Sequence, residues 1–130
     1  MSLLIVNSRV PRPGREDLTD LSDRISDLAR RARLAELPIA HLHQGASGAA
    51  TALQIHIGRY DLVFRTVDLC RDFPKGLIEF LVSSPSGTVN LIGAIRSSQL
   101  LRLTELLAGA GIKTRLIDTA LITLDEETLV

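Results

Sequence analysis

The chain has 130 residues, enough to bury one core but not two, so it reads as a single domain over residues 1–130. Fifteen basic residues balance fifteen acidic ones, which removes the bulk-field argument for nucleic acid or an anionic membrane as a partner. A hydrophobic share of 45% excludes a disordered chain, an aromatic share of 3% argues against base-stacking platforms, and one cysteine permits neither an internal disulfide nor a thiolate zinc cluster.

The opening MSLLIVNSRV lacks the basic stretch and long apolar core of a signal peptide. No run approaches the roughly 20 apolar residues of a membrane span, so the expectation is a soluble, cytoplasmic protein. Leu3-Leu4-Ile5-Val6, closed by Asn7-Ser8 and then by Pro11, Pro13 and Gly14, predicts a strand buried on both faces. Leu18, Leu21, Ile25, Leu28 and Ala32 recur at helical spacing and predict a helix over about 16–35. Glu16, Asp17 and Asp20 in its first turn and Arg30, Arg31 and Arg33 in its last complement the macrodipole.

A second strand is expected at 38–42, ended by Gly45-Ala46-Ser47-Gly48, while 51–57 alternate too weakly to assign. Asp61-Leu62-Val63-Phe64 predicts a third strand, and Pro74 is placed to open a helix carrying Leu77, Ile78, Leu81 and Val82. A polar break from Ser83 to Gly87 leads into a fourth strand at 89–93. Ser97 or Ser98 can cap a helix through Leu100, Leu101, Leu103, Leu107 and Ala108, stopped by Gly109 and Gly111. A fifth strand at 114–117 and a sixth at 120–124 precede the acidic Asp125-Glu126-Glu127. This alternation predicts an α/β three-layer sandwich of Rossmann type, its sheet mostly parallel with five or six strands.

Ligands of open parallel sheets bind beyond the carboxyl ends of the strands. The candidates there are Asn7 and Arg9, His41 and His43, Arg65 and Thr66, then Arg96, Ser97, Ser98 and Gln99, and finally Asp118. Of the fifteen basic residues only Lys75 and Lys113 are lysines, and an arginine excess suits carboxylate or phosphate recognition. Arg9, Arg65 and Arg96, with the helix start at Ser97-Ser98, could therefore grip a small carboxylate. His41 and His43 share a strand face. They could hold a metal only with a third ligand from Asp61 or His56, so no metal and no cofactor is expected. P-loop, GxGxxG and HExxH patterns do not occur.

LLIVNSR, YDLVFRT and NLIGAIRSSQLLRLTELLAGAGIKTRLIDTALIT, with PIAHLHQG and LITLDEE between and after them, resemble segments of the isochorismatase-like, or cysteine hydrolase, superfamily. That group includes nicotinamidases and related amidases. The resemblance implies a catalytic Asp at the end of the first strand, a Lys in the YDLVFRT segment and a Cys at the nucleophile turn. Here those positions read Asn7, Thr66 (or Arg65, one residue earlier) and Gln99. An amide cannot take the thiol proton and Gln99 offers no nucleophile, so the resemblance implies the fold without the activity. Such a protein would bind or assemble, as a homo-oligomer or with a protein partner. Its leucine-rich helix gains by being covered.

A hydrolase with a rebuilt site is the alternative, with Ser98 or Cys70 as nucleophile, and a small-anion sensor is another. Ser98 lacks the glycine-flanked elbow and an evident base, and capping is its expected role. Cys70 stands between Asp68 and Asp72, whose negative charges disfavour a thiolate.

Overall fold

The computed structural model describes residues 1–10, 16–46, 50–83 and 87–124. Pro11, Pro13 and Gly14, Ser47-Gly48, residues 84–86 of the expected polar break and the acidic residues 125–127 lie outside them. The elements are β1 (Ser2–Val10), α1 (Glu16–Leu34), β2 (Ile39–Gln44), β3 (Ala50–Thr51), β4 (Leu62–Thr66), α2 (Leu77–Val82), β5 (Thr88–Arg96), α3 (Ser97–Gly109) and β6 (Lys113–Leu124).

The main sheet has the order β4-β2-β1-β5-β6, parallel throughout, and the two-residue β3 pairs antiparallel with the end of β1. On one face Leu18, Leu21, Ile25, Ala29 and Ala32 of α1 pack on Leu3, Ile5, Ile39 and Ile92. On the other face Leu77 and Leu81 of α2 and Leu103 and Leu107 of α3 cover Leu4, Val6, Leu42, Leu91 and Ile95. Alternate residues of each strand thus feed opposite cores, which is why the strands read as continuous apolar runs. The three-layer α/β sandwich is the architecture expected from the sequence.

Several boundaries differ from those expectations. β1 continues four residues past Val6, because Asn7 and Ser8 are buried with their polar atoms bonded rather than closing the strand. β2 likewise extends through His43 and Gln44 and β4 through Arg65 and Thr66, and Arg96 is the last residue of β5. Of residues 51–57, to which no element is assigned from sequence, only Thr51 enters a strand, β3. α2 begins at Leu77 rather than Pro74, after Gly76 takes a left-handed φ of 87°. The N-cap of α3 falls on Arg96, whose side chain makes no capping bond, so neither Ser97 nor Ser98 holds the cap position.

The expected fifth and sixth strands are one strand, β6. Leu91 pairs with Leu116 and Gly93 with Leu121, so two steps on β5 face five on β6 and the surplus forms a bulge around Asp118-Thr119. Gly93 sits opposite at φ 124°, where an added Cβ would lie 1.9 Å from the carbonyl oxygen of Val6. Only glycine lets β5 pass β1 that closely. No helix among the described residues is long and apolar enough to cross a membrane.

Candidate functional site

Parallel pairing brings the carboxyl ends of β1, β2 and β4 to one edge of the sheet. Asn7 pairs with His43, and His43 with Arg65, so these three form one lateral row. Ser8, Gln44 and Thr66 form the next row, and the two-residue period turns their side chains to the opposite face. Asn7 and Thr66 therefore point to different sides of the sheet. Arg65, not Thr66, shares the face of Asn7.

Each residue at a position that the resemblance marks as catalytic is spent on structure. Asn7, 4% exposed, donates from Nδ2 to the Leu53 carbonyl at 2.9 Å and accepts the Leu53 N–H on Oδ1 at 2.9 Å. Thr66 donates from Oγ1 to the Asp72 carbonyl at 2.8 Å and is also buried. Gln99 accepts the Leu69 N–H on Oε1 at 2.7 Å and donates from Nε2 to Asp68 Oδ1 at 2.8 Å. Thr66 and Gln99 thus fasten the turn after β4, and Asn7 fastens the segment at Leu53. Ser97 and Ser98 are exposed at the start of α3.

Beside Gln99 stands Cys70, exposed, with its Sγ 3.8 Å from Gln99 Nε2. The Cys70 N–H donates to Asp68 Oδ1 at 2.9 Å. That bond, with the one from Gln99, holds the Asp68 carboxyl below the usual carboxylate range. The sole thiol thus lies next to the turn where the resemblance implies a nucleophile, a proximity that the sequence separation of Cys70 and Gln99 conceals.

Past the row of Asn7, His43 and Arg65 opens a cleft of about 240 Å³. Its lining includes Arg9, His43, Arg65, Gly45 and Asp72. Gly45, at φ 124°, is the residue over which Arg9 lies, since an added Cβ would stand 3.0 Å from the Arg9 Cβ. His43 reports the field here. Burial first, then the charges of Arg65, His41 and Arg9, push its pKa down to about 4, so the ring is neutral at pH 7. Of the expected arginine cluster, Arg9 and Arg65 meet in this cleft. Arg96, Ser97 and Ser98 are not among the residues that line it.

His41 points to the same face but has another occupation. Its Nε2 lies 2.8 Å from Asp61 Oδ2, which also accepts from Arg33 Nη2 at 2.6 Å and from the Gly58 N–H at 2.9 Å. Burial opposes ionisation of Asp61, but the bonds from Arg33, His41 and Gly58 outweigh it and hold the carboxyl below its ordinary range. Asp61, one of the two third ligands considered for a metal, is thereby committed to a salt bridge. Among the described residues no group of three His, Cys, Asp or Glu side chains could hold a metal ion, so His41 and His43 do not form a metal site with them.

Sequence reasoning paired His43 with His41 as metal ligands, because they alternate on one strand face, and did not place it beside Arg9 and Arg65. It missed Asp72 because only the turn after β4 brings that residue back to the strand ends.

No protein-family model matches the sequence, and a comparison with curated proteins finds no match. Solved structures do match. An isochorismatase from Pseudomonas putida superposes with a TM-score of 0.73 at 17% identity, over 99% of this chain and 75% of that one. N-carbamoylsarcosine amidase from Thermoplasma acidophilum superposes with a TM-score of 0.73 at 13% identity, over 95% of this chain and 86% of that one. For an isochorismatase-like hydrolase from Alkaliphilus metalliredigens the TM-score is 0.70 at 12% identity, over 98% and 85%. The class defined by these overlays is the parallel three-layer α/β proteins. Within it, this chain has the isochorismatase-like fold, as the sequence resemblance implies. Identities this low carry the fold and not the activity.

Proposed function

We propose that this chain is an isochorismatase-like protein that has given up the thiol-dependent hydrolysis of that group and works as a binding or assembly subunit. The observation that carries this reading is the commitment of Asn7 and Gln99. Both amides have their oxygen and nitrogen occupied by partners in the protein's own chain, at the positions where the resemblance places an acid and a sulfur. A group that must accept a proton or attack a carbonyl has to be available to the substrate. Self-association, or pairing with another protein, is supported by large apolar side chains left at the surface: Leu101 on α3 is 63% exposed and Leu116 on β6 is 42% exposed. A single cysteine suits the reducing cytoplasm.

The second reading is a small amide or ester hydrolase with a rebuilt site, and the position of Cys70 beside Gln99 favours it over a route through Ser98. One assay separates the two. Purified protein is offered a panel of small amides and esters, including carbamoyl and nicotinoyl amides, alongside Cys70→Ala and Ser98→Ala. The expected result is no turnover above buffer. Turnover that Cys70→Ala or Ser98→Ala abolishes establishes the hydrolase. Light scattering on a sizing column tests assembly. A dimer or larger species is expected, and a monomer at the highest attainable concentration removes the assembly reading.

A further inference from the structure

The carboxyl ends of three adjacent parallel strands carry two guanidinium groups with a histidine between them. β1 supplies Arg9, β2 supplies His43 and β4 supplies Arg65, and the cleft they line holds about 240 Å³. β1 and β4 are separated by β2, so the two arginines spring from backbones about 10 Å apart. One carboxylate, Asp72, also lines the cleft beside the two guanidinium groups. We propose that this cleft binds a small carboxylate, held by Arg9 and Arg65 with the His43 ring between them, and that a dicarboxylate engages both guanidinium groups.

Three features of the site point to that chemistry. The volume lies below the roughly 300–1,000 Å³ of sites for drug-sized ligands, which selects a compact molecule. Guanidinium forks match the planar carboxylate and form charge-assisted bonds with it. Gly45 is kept free of a side chain where Arg9 crosses it, so the backbone itself clears room for that arginine. The charged groups acting on His43 are Arg65 on β4, His41 on β2 and Arg9 on β1, and Asp72, after β4, lines the same cleft. An anion seated among them offsets the two arginines, so ligand binding raises the affinity of His43 for a proton.

This proposal rests on the binding reading above, and its test fails separately from that one. Malonate is titrated into the full chain at constant ionic strength, with chloride as the matched control, and the imidazole signals of His43 and His56 are followed by NMR. Saturable movement of the His43 signals, an upward shift of the His43 titration and unmoved His56 signals are expected. Arg65→Ala and Arg9→Ala, each checked for native circular dichroism, should weaken malonate about ten-fold or more, the loss of one charge-assisted contact. If either variant misfolds, the lysine replacement at that position reads the same contact through its lost bidentate geometry. An equal response to chloride, or malonate binding that survives Arg65→Ala, overturns the carboxylate cleft and leaves the non-hydrolytic reading standing. Substrate turnover would do the reverse.

Discussion

Asn7 both gives and receives a hydrogen bond with one backbone unit, at Leu53. A carboxylate at that position could keep only the bond it accepts. It would face the Leu53 carbonyl with a second acceptor, in a site that is 4% exposed. Restoring the acid that the resemblance implies should therefore damage the fold. Asn7→Asp is expected to lose about 1–3 kcal/mol, the cost of stranding buried polar groups, seen as a lower midpoint in urea denaturation. An unchanged midpoint would show that the clamp on Leu53 contributes nothing. The same logic applies to Asp61, whose buried carboxylate is 5% exposed and accepts from Arg33 and His41. Asp61→Asn leaves Arg33 without its ion partner. Because Arg33 is itself 31% exposed, the expected loss is about 2 kcal/mol, below the figure for a fully buried pair.

Elements are joined here by close approaches as much as by side-chain packing. Gly93 lets β5 run beside β1 just where β6 bulges away on its other side. Gly93→Ala would drive a Cβ into the Val6 carbonyl from a φ that side chains rarely adopt, so at least one of the two pairings must open. A loss of about 3 kcal/mol or more is expected, and a soluble variant with wild-type stability in urea would contradict the packing described. This is also the scale at which the sequence was legible and then ceased to be. Apolar periodicity located α1 and the cores of β1, β2, β4 and β5, since those residues face the two buried layers. It cut the strands short wherever a polar side chain was buried but bonded, as at Asn7, Gln44 and Thr66, because hydropathy cannot register a satisfied hydrogen bond. It split β6 in two because a bulge with Asp118-Thr119 at its centre has the composition of a turn. The arginines at the strand ends were legible as residues, but which of them meet depends on register: Arg9 and Arg65 share the cleft, and Arg96 stands outside it.

For the molecule as a whole, formal neutrality conceals several groups whose depressed pKa makes stability depend on pH in the same direction, and His43 and Asp61 are the most buried of them. His43 has an ordinary pKa of 6.5 that falls to about 4 in the fold, so the unfolded chain binds the proton more tightly between those values. Its contribution is complete above pH 6.5 and is lost as pH falls towards 4. Asp61 is also depressed, from 3.8, so its contribution is lost only in stronger acid, below that value. Acid should therefore weaken the fold in two stages, the first set by His43 and the second by the depressed carboxylates, Asp61 foremost. The first is expected to amount to about 1–2 kcal/mol, less than full linkage would give because the ring is only half-buried and partly screened. Urea midpoints measured from pH 8 to pH 3 check this. His43→Gln should flatten the profile between 6.5 and 4 while leaving the more acidic limb in place, whereas Asp61→Asn should reduce the acidic limb. A wild-type profile level down to pH 4 would show that His43 is not held neutral by its buried position beside Arg9 and Arg65. Saturating malonate should also shrink the first stage, because an anion in the cleft moves the His43 titration back towards its unfolded value.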